Sequence, residues 1–303
     1  MTTFLLNLFK NKTKPVSEST IKLYINNLTK LNDGNDITNF DFIKDPKKVL
    51  QKLSKYKPTT IRTFIIAICS VLNGIPDKKE LYNEYFKILE QLNSSLKTNN
   101  NKSDTQSENW INTEEISKIY DELKSKVSKK KAINKLEYDN ILNLLLLSLY
   151  YNQPPRRNID YLLMKISSNT DDTNYNYLDL DKKQFIFNNY KTAGTYNQVI
   201  IDISPQLMSD IILFLKNRND VKKLKNKNYD IYFLVDSNGD NFKNSNVITK
   251  KLNNIFGKNV SSSLLRNIYL TNKYSKVINS LDDDVKQMGT SQDVALKNYI
   301  KFD

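Results

Sequence analysis

Arginine, lysine, serine, threonine and tyrosine are the residues through which this chain could do chemistry, because it contains no histidine. Without imidazole there is no His-based triad, no His-ligated zinc and no imidazole acid–base catalyst. A single cysteine, Cys69, excludes a disulfide framework and a Cys-rich metal site. It lies in the apolar run Phe64-Ile65-Ile66-Ala67-Ile68-Cys69 and reads as a core thiol rather than a nucleophile. Six glycines form neither a Rossmann nor a P-loop pattern. Five separated features of the second half carry such residues: Pro154-Pro155-Arg156-Arg157-Asn158-Ile159-Asp160; Tyr190-Lys191-Thr192; Ser263-Leu264-Leu265-Arg266; Met288-Gly289-Thr290-Ser291; and Tyr299, nine residues after Thr290. Guanidiniums stay charged at any working pH and can fork onto two oxygens of one phosphate. A phenol titrates near ~10 and needs a cationic surrounding to approach its anion.

The elements that must position these residues form two domains in a mainly α (α+β) chain. Residues 1–98 read as a helical domain. A helix opens at Ser17-Glu18-Ser19-Thr20, Asn32-Asp33-Gly34-Asn35 is a turn, and helices follow from Pro46, over Ile61–Asn73 and over Asp77–Leu96. Residues 99–109 contain no apolar side chain and read as a linker. The second domain, 110–303, opens with a helix start at Trp110-Ile111-Asn112-Thr113. The helix Tyr138–Tyr151 is apolar nearly all round, hence buried, and ends at Pro154-Pro155. A helix is expected from Arg156 to Ile166. Three strands follow, Tyr175–Asp179, Gln184–Asn188 and Gln198–Ile203, forming a small three-stranded antiparallel sheet. Further helices are expected from Ser204-Pro205 to Leu215, over Ser245–Phe256, Ser262–Asn272, Ser275–Met288 and Asp293–Ile300, with the turn Ser237-Asn238-Gly239-Asp240 between.

Charge points to the partner. The chain of 303 residues carries a net charge of +13, divided as +6 over residues 1–110 and +7 over 111–303. Both parts therefore suit a polyanion, with nucleic acid first. Heavy use of Asn, Lys, Ile and Tyr, as AT-rich coding would impose, accounts for part of that excess. No stretch of about 18 apolar residues exists to span a membrane. Met1 to Lys10 has neither a basic leader nor a small-residue cleavage site, so no secretory signal is read there.

In this order and spacing, the five features resemble the catalytic domain of the tyrosine recombinases, the phage-integrase type, whose fold type IB topoisomerases share. The family pattern is Arg with an acidic residue three later, a hairpin Lys, His-x-x-Arg, Gly-His or Gly-Trp, and Tyr nine beyond. The resemblance covers 111–303, and the helical N-terminal part looks like the family's core-binding (SAM-like) domain. Pro-Pro-Arg-Arg also looks like integrase-related proteins of large DNA viruses. The resemblance implies that Arg157 and Arg266 hold the non-bridging oxygens, that Lys191 protonates the leaving 5′ oxygen, and that Tyr299 is the nucleophile. Arg156 competes with Arg157 for register, and Asp160, three after Arg157, favours the latter. Asp160 is read as a structural orienter. A 3′-phosphotyrosine stores the bond energy, so neither cofactor nor metal is implied.

The chain departs from the pattern at two positions. Ser263 stands where the family has His in His-x-x-Arg, as in type IB topoisomerases, which also lack it. Thr290 stands where the family has His or Trp; its hydroxyl, or that of Ser291, could donate instead, with less reach. Removing one such donor typically costs ~10²–10³ in rate. The expected activity is strand cleavage and rejoining on double-stranded DNA, as an integrase or recombinase clamping the duplex. A topoisomerase-like relaxase and a catalytically weak DNA-binding relative stand as alternatives. Four residues follow Tyr299, where the family continues into a helix docking on the neighbouring protomer. The absence of that helix here weakens the expectation of a self-assembled tetramer and slightly favours a topoisomerase-like monomer, while a homo-oligomer on DNA stays open. No membrane or small-molecule cofactor is expected, and the location implied is intracellular, with DNA, as for a virus-encoded enzyme.

Overall fold

A computed structural model describes residues 5, 8, 9, 16–73, 75–96, 101–127, 134–218 and 231–301. The stretch 1–10, read above as no leader, lies outside these except for Leu5, Leu8 and Phe9, and so do the basic residues 129–131. The chain is mainly helical with one small sheet. Among the described residues no helix is long and apolar enough to cross a membrane. Two compact units divide it, Met1–Asn101 and Lys102–Asp303.

The first unit holds α1 (Glu18–Leu31), α2 (Pro46–Leu53), α3 (Pro58–Leu72) and α4 (Lys79–Ser95). Local sequence sets their starts. The Ser17 hydroxyl accepts from the Thr20 N–H, the Asp45 carboxylate accepts from the Lys47 and Lys48 N–H groups, and prolines occupy the first turns of α2 and α3. Leu28, Ile43, Leu53, Ile65 and Ile68 are buried together, and the Tyr85 hydroxyl donates to the Ile43 carbonyl at 2.8 Å. Cys69 belongs to this core, and burial pushes its thiol up to about 11. That is the inert thiol expected from its apolar run.

The second unit starts earlier than expected. Residues 102–109 are not linker: α5 (Asp104–Asn109) opens on a capping box between Ser103 and Gln106. Asn109 accepts from the Asn259 N–H at 2.8 Å, and the Lys102 ammonium lies 3.7 Å from the centre of the Trp110 ring. Capping and tertiary hydrogen bonds hold a helix that has no apolar face. After α6 (Thr113–Lys126), α7 (Lys135–Tyr151) forms the centre, with Leu142 and Leu144–Leu147 all buried, as its composition requires.

The expected helix from Arg156 to Ile166 is shorter. α8 (Asn158–Leu162) stops after five residues, and β1 (Lys165–Ile166) follows. The sheet is correspondingly larger than three antiparallel strands. With β2 (Tyr177–Asp179), β3 (Gln184–Phe187), β4 (Val199–Asp202) and β5 (Ile231–Tyr232) it has five, in the order β4-β3-β2-β1-β5. It is mixed, since β1 pairs parallel with β2 and antiparallel with β5. Two-residue strands carry no alternation, so their sequence cannot announce them. Between β3 and β4 lies the one-turn α9 (Ala193–Tyr196). α10 (Pro205–Asn217) and α11 (Asn246–Phe256) pack on α7. The expected pair of helices over 262–288 is one 26-residue helix, α12 (Ser262–Gln287). Neither Gly nor Pro interrupts it, so Ser275 has no chain break to cap. It ends at Gly289, whose φ of 68° is the left-handed conformation that favours glycine. In place of a helix over 293–300, the short α13 (Gln292–Val294) runs into a single π turn, Ala295–Tyr299.

Candidate functional site

The segment after α7 builds one wall of a cavity. The Asn158 side chain accepts from the Tyr150 hydroxyl at 2.5 Å and donates to the Thr249 hydroxyl at 2.9 Å. This ties the start of α8 to α7 and α11, with Arg157 as the residue capping α8. A second anchor is Asn176. Its amide donates to the Asp160 and Asn189 carbonyls, at 2.8 Å each, and its carbonyl accepts from the Asn188 and Asn189 N–H groups at 2.9 and 2.8 Å. One buried side chain thus fastens α8 to the turn that leads into Tyr190-Lys191-Thr192.

Arg156, Arg157, Asp160, Tyr190, Thr192, Tyr196 and Arg266 line a cavity of about 270 Å³ beside α8. Arg266 reaches it from the second turn of α12, whose first turns are fixed by buried Leu264, Leu265 and Ile268. The three guanidiniums are not equivalent. Arg156 donates through Nε to Asp160 Oδ2 at 3.1 Å and lies 3.7 Å from the Phe187 ring centre and 4.9 Å from that of Tyr190. It is a neutralised, stacked, structural arginine. Arg157 and Arg266 have no carboxylate partner among the described residues. Burial and the neighbouring charge of Arg157, then that of Arg156, pull the Arg266 guanidinium below its usual value, against the pull of Asp160. Two partly buried like charges facing one cavity call for an anion.

Asp160 is 2% exposed, and its Oδ1 has no hydrogen-bond partner among the described residues. Burial pushes its carboxyl above the usual range, while Arg156 and then Arg157 pull it back. The spacing to Asp160 singled out Arg157 over Arg156. In the structure Asp160 grips Arg156, and this leaves Arg157 to face the cavity.

The other expected residues are placed differently. Lys191 is exposed between two cavity-lining neighbours and does not itself line the cavity. Ser263 is exposed on the first turn of α12. Thr290 is half-buried beyond α12, its N–H donating to the Val285 carbonyl at 2.9 Å. Tyr299, at the end of the π turn, is 60% exposed and is not among the lining residues. The structure therefore brings Arg157 and Arg266 together, and leaves Ser263, Thr290 and Tyr299 outside their cavity. Sequence reasoning missed Asn158, Asn176 and Tyr196. Nothing local marks the first two in an Asn-rich chain, and Tyr196 is one of 18 tyrosines with no motif around it. No protein-family model matches the chain, and no curated protein matches it.

Proposed function

We propose that this chain binds double-stranded DNA and cuts and rejoins one strand through a 3′-phosphotyrosine, as a site-specific recombinase of the tyrosine type. The observation that carries the reading is the pair Arg157 and Arg266, lining one cavity with no carboxylate partner among the described residues. A phosphodiester offers two non-bridging oxygens to two such forks, and charge stabilisation there is the largest contribution a protein makes to such a transfer. In the step proposed, the Tyr299 phenolic oxygen loses its proton to solvent and attacks phosphorus. The bond from phosphorus to the 5′ oxygen breaks, its electron pair stays on that oxygen, and Lys191 supplies the proton. A 5′ hydroxyl reverses the sequence. The reading requires the segment after α12 to bring Tyr299 to the arginines once DNA is bound.

The exposed position of Tyr299 away from the cavity favours a second reading, a DNA-binding protein that grips a backbone phosphate with Arg157 and Arg266 and does not cut. A nicked suicide duplex separates the two. The expected result is a covalent adduct with the wild-type chain and none with Tyr299→Phe, while duplex binding stays within a few-fold. An adduct that persists in the variant, or maps to another tyrosine, removes Tyr299 from its role. No adduct from the wild type leaves the binding protein. Relaxation of supercoiled plasmid by single chains would favour a topoisomerase over a recombinase.

A further inference from the structure

α12 leaves its core part-way along. Leu264, Leu265 and Ile268 are buried, but from Tyr269 to Asp284 no residue is, and Val285 is the next buried one. That distal half is nevertheless patterned. Leu270, Tyr274 and Val277 are 51%, 42% and 66% exposed, and half-buried Leu281 continues their row. The spacing of four, three and four is the seam of one helix pairing with another, with Ile278, 48% exposed, beside it. From 270 to 285 the seam is about 23 Å long at ~1.5 Å per residue.

The charges identify the occupant. Lys273 and Lys276 lie toward the start of this stretch and Asp282, Asp283 and Asp284 toward its end, where Lys286 pairs with Asp282 on the exposed helix surface at 2.5 Å, an ion pair that a second copy's lysine can exchange for its own. Three positive and three negative charges give no net attraction for a polyanion, so the face is not a further DNA surface. The order is self-complementary when reversed. Laid antiparallel against itself with Val277 level with Ile278 of a second copy, the stretch sets Tyr274 level with Leu281 and Lys273 level with Asp282. Parallel pairing would set the three aspartates against one another.

We propose that the distal half of α12 is a self-association surface that pairs antiparallel with the same stretch of a second copy of this chain. The proposal does not rest on the recombination reading, since it needs no DNA and no chemistry.

Sedimentation of the full chain without DNA tests it, with a concentration-dependent dimer expected. Val277→Glu should weaken that dimer at least ~10-fold, because a charge in an apolar seam costs more than one tenfold step in affinity. Lys273→Asp alone and Asp282→Lys alone should each weaken it, whereas the two variants mixed should pair with each other. Orientation is read from oxidative cross-linking, with the wild-type chain, whose one cysteine is buried, as the blank. Ile278→Cys should cross-link to itself and Leu270→Cys should not. A monomer at every concentration, a dimer indifferent to Val277→Glu, or self-cross-linking through Leu270→Cys would each overturn the proposal.

Discussion

Asp160 carries a charge that its surroundings only partly compensate. Its carboxyl is raised above the ordinary value because burial outweighs Arg156 and Arg157. The sign follows from linkage: a raised folded value contributes stability fully below the unfolded value, and that contribution is lost as pH rises through the folded one. Asp160→Asn cannot titrate, so its stability relative to wild type should improve as pH rises from about 3.8 upward, on top of a pH-independent difference between a neutral carboxyl and an amide beside Arg156. Urea melts at several pH values read this directly, and a pH-independent offset would mean that Asp160 ionises as it does in water. Lys191 allows a different separation. A 5′ oxygen is a poor leaving group without a proton, whereas a thiolate, with its thiol near ~8.5, leaves unaided. Lys191→Ala should therefore be slow on ordinary DNA and near wild type on DNA with sulfur at the bridging 5′ position. Arg157→Ala and Arg266→Ala should be slow on both, since charge on the non-bridging oxygens develops whatever leaves. Equal slowing of Lys191→Ala on both substrates would make the lysine a phosphate contact.

At the scale of elements, Asn176 joins α8 to the β3–β4 turn through four hydrogen bonds and is 5% exposed. Asn176→Ala leaves two carbonyls and two N–H groups unpaired. At ~1–3 kcal/mol for each unsatisfied buried group, partly recovered by relaxation and water, a loss of at least ~2 kcal/mol in unfolding free energy is expected. Calorimetry or urea unfolding measures it, and a change below ~0.5 kcal/mol would show that Asn176 fills space without fastening the turn. This anchor also explains what the sequence could and could not disclose. Elements with their own chemistry were legible: Ser17 and Pro46 mark helix starts, and the leucines of α7 mark a buried core. α5 was illegible because six polar residues are helical through a capping box and a distant Asn259, and β1 because a two-residue strand is defined by its neighbours. In the candidate site, Arg157, Arg266 and the Tyr190–Thr192 turn could be picked out by order along the chain. Which arginine Asp160 would grip could not, since spacings of three and four are both within reach at a helix start.

For the whole molecule, the positive excess is shared between +6 over residues 1–110 and +7 over 111–303, and each compact unit has its own core. Residues 1–101 and 102–303, produced separately, should each bind duplex DNA more weakly than the whole chain and with a smaller salt slope, each phosphate neutralised contributing ~0.9 to it. Full affinity and slope from 102–303 alone would leave the first unit without a role on the duplex. α12 adds a consequence in another observable. Its amides are bonded within a single continuous helix, yet only the proximal turns are enclosed by a core. Hydrogen exchange should therefore change along one unbroken helix, slow around Leu265 and Ile268, where opening requires the core to open, and fast around Val277, where local fraying suffices. The position of that step, and whether it moves outward as the chain is concentrated, marks where burial by the main core ends along α12.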